Sequence, residues 1–116
     1  MKTQSIAPVF HVADLNATLD HYTAVLGFQE DFRTAGYVGV KLGAAHLHFA
    51  LPGDFKRPVG GGTAYIFCDD VDEYFAAIKA RGANVKSEPA NSRYGMRDFV
   101  VCDPDGNHLS FGADRE

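Results

Sequence analysis

The sequence predicts an α+β fold of two βαβββ modules, whose mixed sheet curves around a cleft and carries the helices on its convex side. A strand, a helix and further strands are indicated twice, before and after a stretch rich in glycine and proline over residues 52–62. Asp14-Leu15 and Asp70-Val71 stand at the same place in the two halves, between a strand and a helix. The segment AHLHF at 45–49 is matched by NHLSF at 107–111. Such repetition is typical of two units that bury their apolar faces against each other.

The first half predicts one strand, one helix and three strands. Residues 6–12 favour a strand, which Pro8 restricts to a sheet edge or a strand start because proline has no amide to donate. Asp14 or Asn16 is expected to cap a helix whose apolar face ends before Gly27. Strands follow over 28–32, 37–42 and 45–51.

The second half repeats this order. A strand over 63–68 leads into a helix that Asp69-Asp70 is expected to cap and that Gly82 ends. Strands are predicted over 83–86, 97–102 and 108–112. The last two are joined by Asp-Pro-Asp-Gly at 103–106, in which proline fixes φ and glycine permits a positive φ.

Length and composition limit the class of protein. The 116 residues suit a single domain over 1–116, with module one at 1–57 and module two at 58–116. The net charge is −4 and lysine and arginine do not cluster, so neither nucleic acid nor a membrane is expected as a partner. Two cysteines are too few for a secreted disulfide framework, and no apolar run reaches the roughly 20 residues of a membrane helix. We therefore expect a cytoplasmic location.

Several motifs carry a resemblance to a known family. They are PVFHVADL at 8–15, Tyr22 with LGF at 26–28, YGMRDF at 94–99 and DPDGNHLSF at 103–111. In this order and spacing the chain resembles the vicinal oxygen chelate superfamily of glyoxalases, bleomycin resistance proteins and dioxygenases. The segment GMRDF before DPDGN is most similar to the bleomycin-resistance branch. The resemblance implies a doubled βαβββ fold and, at this length, a homodimer.

The resemblance also locates the positions that hold a divalent metal in the enzymes of the superfamily. These positions correspond here to Ala7, His48, Thr63 and Ser110. Alanine has no donor atom and neutral hydroxyls are poor ligands, whereas a catalytic site needs about three protein ligands. We therefore expect no metal, no cofactor and no catalytic residue of the family type.

The sequence also contains histidines and cysteines that could support other chemistries. His46 and His48 lie two apart on a strand and, with His11, would form a metal site outside the family pattern if all three faced one cleft. Cys68 and Cys102 are expected to be buried, where a thiol is unreactive. A metal-dependent glyoxalase-type lyase or an extradiol-dioxygenase-like enzyme is the alternative function, and a regulatory or interaction module is a third.

Aromatic residues supply the positive signal for function. Thr63, Tyr65 and Phe67 alternate with smaller residues and are expected to face the groove. The resemblance adds Tyr94, Phe32 and Tyr37 as aromatic positions of the bleomycin-resistance branch. Flat rings with a polar rim suit a planar heteroaromatic or cationic ligand. The sequence thus predicts a protein that binds and sequesters a small molecule, with a bleomycin-type antibiotic as candidate. The expected ligand-binding residues are Phe32, Tyr37, His48, Thr63, Tyr65, Phe67, Tyr94 and Ser110.

Overall fold

Two βαβββ modules are present, as the repetition predicts. The computed structural model describes residues 1–115, with Phe55 described by its backbone only. Module one contains β1 (Val9–His11), α1 (Leu15–Asp20) with a π-helical turn over His21–Val25, β2 (Gln29–Arg33), β3 (Tyr37–Leu42) and β4 (Ala45–Ala50). After a 3₁₀ turn at Gly53–Phe55, module two contains β5 (Thr63–Phe67), α2 (Asp72–Ala80), β6 (Asn84–Asn91), β7 (Met96–Cys102) and β8 (His108–Asp114).

Each module contributes a four-stranded sheet with the same topology. The first sheet has the order β1-β4-β3-β2 and the second has the order β5-β8-β7-β6. The strand before each helix pairs in parallel with the last strand of its module, and the other pairs are antiparallel. Val9 lies opposite His48 in the first sheet, as Tyr65 lies opposite Ser110 in the second. His48 and Ser110 are therefore equivalent positions.

One face of each sheet packs on the helices. Alternate strand residues such as Val40 and Phe49 in the first sheet, and Phe99 and Phe111 in the second, are fully buried. They belong to one apolar cluster with Leu19, Tyr22 and Leu26 of the first helical segment and Ile78 of α2. The remaining alternate residues point the other way, and we call this side of each sheet its groove face. The groove face of the first sheet carries Val9, His11, Phe32, Tyr37, Gly39, Lys41, His46 and His48, and that of the second carries Thr63, Tyr65, Phe67, Asp98, Val100, Ser110, Gly112 and Asp114.

The helix ends follow the capping signals, with two differences. The N-cap of α2 is Val71 and not Asp69 or Asp70, although the Asp70 carboxylate accepts from the Asp72 amide at 3.0 Å. The Asp14 carboxylate accepts from the Ala17 amide at 3.0 Å, and Gly27 follows the helical segment with a φ of 80°. The last turn is π-helical rather than α-helical, since the Leu26 amide donates to the His21 carbonyl. The Thr23 hydroxyl donates to the Leu19 carbonyl at 2.8 Å, a side-chain bond of the kind that distorts helices.

Strand limits differ from the prediction by more than two residues at two edges. β1 begins only at Val9, and the carbonyl of Pro8 accepts from the His48 amide, so proline marks the strand start. β6 extends to Asn91 and not to residue 86. It is an edge strand with two breaks in register, and an edge tolerates the missing amide of Pro89.

A buried network joins the two modules. The Asp103 carboxylate, 3% exposed, accepts from the Tyr22 hydroxyl at 2.9 Å and from the Asp105 and Asn107 amides. Burial, and next the charge of Asp103, raise the pKa of Tyr22 far above its usual value. A second bond runs from module two to module one, because the Tyr74 hydroxyl of α2 donates to the Leu26 carbonyl at 2.6 Å. Over residues 1–115, no helix has the length and apolar character needed to cross a membrane.

Candidate functional site

Three predicted site residues meet on the groove face of the first sheet. The Tyr37 hydroxyl and the His48 Nδ1 atom are hydrogen-bonded at 2.8 Å. The Phe32 ring stacks on Tyr37 with centroids 5.9 Å apart and meets the His48 ring edge-on at 5.0 Å. All three side chains are half-buried. We call Phe32, Tyr37 and His48 the first aromatic cluster.

A glycine makes room for this cluster. Phe32 and Gly39 are opposite each other on β2 and β3, and a Cβ atom at Gly39 would overlap the Phe32 ring. The ring therefore lies flat over the backbone of β3, where any side chain would displace it. Tyr37 and His48 bound the ring on the neighbouring strands, because Gly39 also lies opposite His48.

Three further predicted residues meet on the second sheet around a carboxylate. The hydroxyls of Tyr65 and Tyr94 both donate to Asp98 Oδ2, at 2.9 Å for Tyr65. The rings of Tyr65 and Phe67 lie 4.9 Å apart. Phe67 is 76% exposed and Tyr94 is 68% exposed, so both rings present apolar surface to solvent. We call Tyr65, Phe67, Tyr94 and Asp98 the second aromatic cluster.

The Tyr65 ring also depends on a glycine. A Cβ atom at Gly112 would overlap the Tyr65 hydroxyl end, so β8 accommodates the phenol only without a side chain there. Burial is the main cause that raises the pKa of Tyr65 above its usual value, followed by the hydrogen bond to Asp98. Tyr65 therefore stays a neutral donor at neutral pH.

The last two predicted residues lie on the same face, outside both clusters. Thr63 is exposed at the start of β5, and Ser110 is half-buried in the middle of β8. Each is placed toward the groove by its register with the neighbouring strand. Among the described residues, neither hydroxyl forms a hydrogen bond. Their predicted part in ligand binding stays a prediction.

Sequence reasoning missed Asp98 and the two glycines beneath the rings. Asp98 precedes the buried Phe99, so strand alternation alone places it on the groove face. Gly39 and Gly112 also fall on the groove phase of their strands. Their role requires knowing which ring crosses them, and that depends on the strand pairing.

The two groove faces differ in charge. On the first, Lys41 and His46 both lie near Asp31, at 3.9 Å and 3.8 Å from its carboxylate oxygens. On the second, Asp98 and Asp114 lie on the same side of neighbouring strands. A cavity of about 340 Å³ lies between β4 and β5, bordered by His46 on one sheet and by Tyr65 and Phe67 on the other. This volume is in the range of small-molecule pockets.

The four family metal positions do not fit a divalent ion. His48 already shares its Nδ1 with Tyr37, Ala7 offers no donor, and Thr63 and Ser110 offer neutral hydroxyls. The three histidines of the alternative site have different neighbours: His46 lies near Asp31, His48 bonds to Tyr37, and His11 borders a separate cavity with Arg57. In residues 1–115, no three His, Cys, Asp or Glu side chains are grouped as metal ligands. No catalytic step through a metal follows from this donor set.

The two thiols are not part of the aromatic clusters. Cys102 is buried at 7% exposure, and Cys68 is half-buried with its Sγ 3.5 Å from the Gly112 carbonyl oxygen. Burial raises the pKa of the Cys68 thiol. A higher pKa reduces the thiolate fraction, which makes a nucleophilic role unfavourable.

The comparisons with known proteins agree with the fold and the sequence motifs. Residues 6–111 match the family described as Glyoxalase/Bleomycin resistance protein/Dioxygenase superfamily. No curated protein matches the sequence. Similar solved structures include the bleomycin-binding protein of bleomycin-producing Streptomyces verticillus, complexed with copper(II)-bleomycin, at 25% identity, a TM-score of 0.82 and 99% coverage of both chains.

Two further structures share the fold at lower identity. TnmS3, an antibiotic binding protein from Streptomyces sp. CB03234, is 23% identical with a TM-score of 0.82 and 97% coverage of both chains. TioX from Micromonospora sp. ML1 is 20% identical with a TM-score of 0.82, covering 97% of this chain and 99% of that one.

Proposed function

Since the chain belongs to the Glyoxalase/Bleomycin resistance protein/Dioxygenase superfamily, we propose that it binds and sequesters a small molecule without a metal ion. The ligand is planar and heteroaromatic or cationic, and a bleomycin-type antibiotic is the first candidate. The observation that carries this proposal is the pair of aromatic clusters on the groove faces. The structural likeness to a bleomycin-binding protein and to an antibiotic binding protein supports the same class of function.

The clusters supply what a planar ligand needs. Phe67 and Tyr94 expose ring surface that a ligand would cover, which removes apolar area from water. Tyr37 and Tyr65 are held by hydrogen bonds to His48 and Asp98, so their rings need little ordering on binding. His48 provides a polar anchor beside the Phe32 ring. Thr63 and Ser110 lie on the groove face of the second sheet and offer neutral hydrogen-bonding groups.

A homodimer fits this proposal. Besides Phe67 and Tyr94, the exposed large apolar residues include Ile6, Val9 and Leu51, which is more than a ligand of modest size would cover. A second copy placed over the groove faces would cover the remainder and help to close the site. Both cysteines are free, in keeping with a reducing cytoplasm as the location.

Calorimetric titration with metal-free bleomycin and with copper(II)-bleomycin tests the proposal. We expect saturable binding and a rise in Tm, since a ligand that binds only the folded state stabilises it. Phe67→Ala should weaken binding by about tenfold without unfolding the protein, because its ring is exposed. Absence of any melting shift across bleomycin and a panel of cationic aromatic compounds would favour the interaction-module alternative.

Metal analysis tests the enzyme alternative. Zn, Ni, Mn and Fe are measured in protein purified without a chelator, and we expect less than stoichiometric amounts. His108→Ala is the matched control for His48→Ala, because His108 is an exposed histidine at the start of β8 on the second sheet. Stoichiometric metal that is lost in His48→Ala but kept in His108→Ala would overturn metal independence and favour a glyoxalase-type enzyme.

A further inference from the structure

A carboxylate stands at the centre of the second aromatic cluster. Asp98 is half-buried between the phenols of Tyr65 and Tyr94, and both hydroxyls donate to Oδ2. Among the described residues, no group donates to Oδ1. The carboxylate is therefore fixed in position by two neutral donors and keeps one oxygen available to a ligand.

Among residues 1–115, no lysine, arginine or histidine forms an ion pair with this carboxylate. The neighbouring Arg97 points to the opposite side of the sheet, where it forms a bidentate pair with Asp72 at 2.8 Å and 2.9 Å. The described lysines and arginines of β5, β7 and β8 do not include one on the groove face. Asp114 adds a second negative charge to this face, beside Phe67 in a shared cavity.

The first groove face has the opposite character. There the Asp31 carboxylate of β2 lies 3.9 Å from the Lys41 ammonium and 3.8 Å from the His46 ring. The polar centre of its aromatic cluster is an imidazole bonded to a phenol. We therefore expect a cationic group to bind to the second groove face in preference to the first.

We infer that Asp98 is the charge-selecting residue of the site, and that the second groove face takes a planar aromatic ligand carrying an amine or another cation. This inference rests on the proposed function and names the end of the site that recognises charge. The ring of the ligand stacks on Phe67 and Tyr94, and its cationic group bonds to Oδ1 of Asp98. Charge-assisted hydrogen bonds are roughly twice as strong as neutral ones, and the same aromatic faces attract a cation.

Three probes of equal ring size and different charge test the inference: 1-naphthylmethylamine, 1-naphthalenemethanol and 1-naphthoate. Binding is followed by NMR titration of the ¹⁵N-labelled protein. We expect the amine to bind about tenfold more tightly than the alcohol, with shifts at Phe67 and Tyr94, and the carboxylate to bind most weakly. Asp98→Asn should weaken the amine by about tenfold and leave the alcohol unchanged.

Glu88→Gln is the matched control, because it removes one negative charge from the same sheet at a site paired with Lys79 of α2. It should leave all three affinities unchanged. Should Asp98→Asn fail to fold, the wild-type protein still gives an answer. Raising salt from about 0.05 M to about 0.5 M should weaken the amine and spare the alcohol, since salt screens charge interactions.

Equal affinity for the amine and the alcohol, or an amine affinity that is the same in Asp98→Asn and Glu88→Gln, would overturn the inference. If bleomycin binds while the probes show no charge preference, the inference fails and the proposed function stands. If neither bleomycin nor any probe binds, both fail.

Discussion

The two groove faces have equivalent backbones and different chemistry. His48 and Ser110 occupy equivalent positions, and Tyr37 and Asp98 pair with the residues two places beyond them, Ala50 and Gly112. Tyr37 and Asp98 are therefore equivalent as well. On the first face a phenol bonds to an imidazole, and on the second a carboxylate takes the place of that phenol and accepts from two others.

This difference shows that the fold determines where a polar group stands and not what it is. Both faces place an aromatic ring over a glycine, yet Phe32 comes from the last strand of the first sheet's order and Tyr65 from the first strand of the second's. The repetition that predicts the fold therefore does not extend to the groove. Each face must be interpreted from its own contacts.

Substituting the two glycines has the largest expected effect on binding. Gly112→Ala forces Tyr65 away and disrupts its bond to Asp98, and Gly39→Ala displaces Phe32. Each should weaken bleomycin binding at least about tenfold, measured by calorimetry, provided that the ligand contacts both faces. The control is Gly36→Ala, where a Cβ atom meets nothing within 4 Å.

Loss confined to Gly112→Ala would mean that the second face binds alone. Affinities of Gly112→Ala and Gly36→Ala that agree within error would contradict the placement of the ligand on Tyr65. Both outcomes require melting curves that show the variants to be folded.

Removal of one phenol hydroxyl should destabilise the protein more on the first groove face than on the second. Tyr37→Phe is expected to lower the free energy of unfolding by about 1 kcal/mol, because the bond to the half-buried His48 is lost. Tyr94→Phe should cost less than about 0.5 kcal/mol, since Tyr94 is 68% exposed and water replaces its bond. Urea denaturation measures both free energies of unfolding. A larger loss in Tyr94→Phe than in Tyr37→Phe would contradict this prediction.

The smallest effect concerns the ionisation of Tyr65. Asp98→Asn should lower the pKa of Tyr65, measured by NMR of ¹³Cζ-labelled tyrosine, while leaving it above the usual value because burial is the larger cause. Tyr22, whose acceptor is Asp103, serves as the control. An unchanged pKa of Tyr65 would show that Asp98 does not act on this phenol.

The same phenols determine how stability depends on alkaline pH. The folded-state pKa values of Tyr22, Tyr65 and Tyr74 lie above those of the unfolded chain, which are about 10. Above that pH the unfolded chain loses protons that the folded chain keeps. Stability is therefore fully present below pH about 10 and falls as the pH rises beyond it.

The sequence was sufficient to predict the fold and to predict which residues of β5 lie on the groove face of the second sheet. Repetition, capping residues and glycines gave the element order, and alternation along 63–67 placed Tyr65 and Phe67 on the groove face. The homodimer and the module boundary at 57/58 stay predictions.

The parts that were missed depend on contacts between distant residues. The length of β6 depends on its breaks in register with β7. The π-helical turn is a local exception, because it accompanies the bond from the Thr23 hydroxyl to the Leu19 carbonyl. The sequence places Asp98 in the GMRDF motif but does not mark it as a site residue, because its significance comes from Tyr65 in another strand. Hydrogen-bond partners across strands are set by the fold as a whole.

The hydrogen bond from Tyr22 of module one to Asp103 of module two also makes the two modules non-interchangeable. The corresponding turn of module one, at Gly43-Ala44, has no carboxylate to offer. Two copies of module one joined end to end would bury the Tyr22 hydroxyl without this partner, at a cost of about 1–3 kcal/mol. The contact between the two modules is therefore asymmetric. A chain that began as a symmetric pair could not exchange its modules without gaining a new acceptor for the Tyr22 hydroxyl.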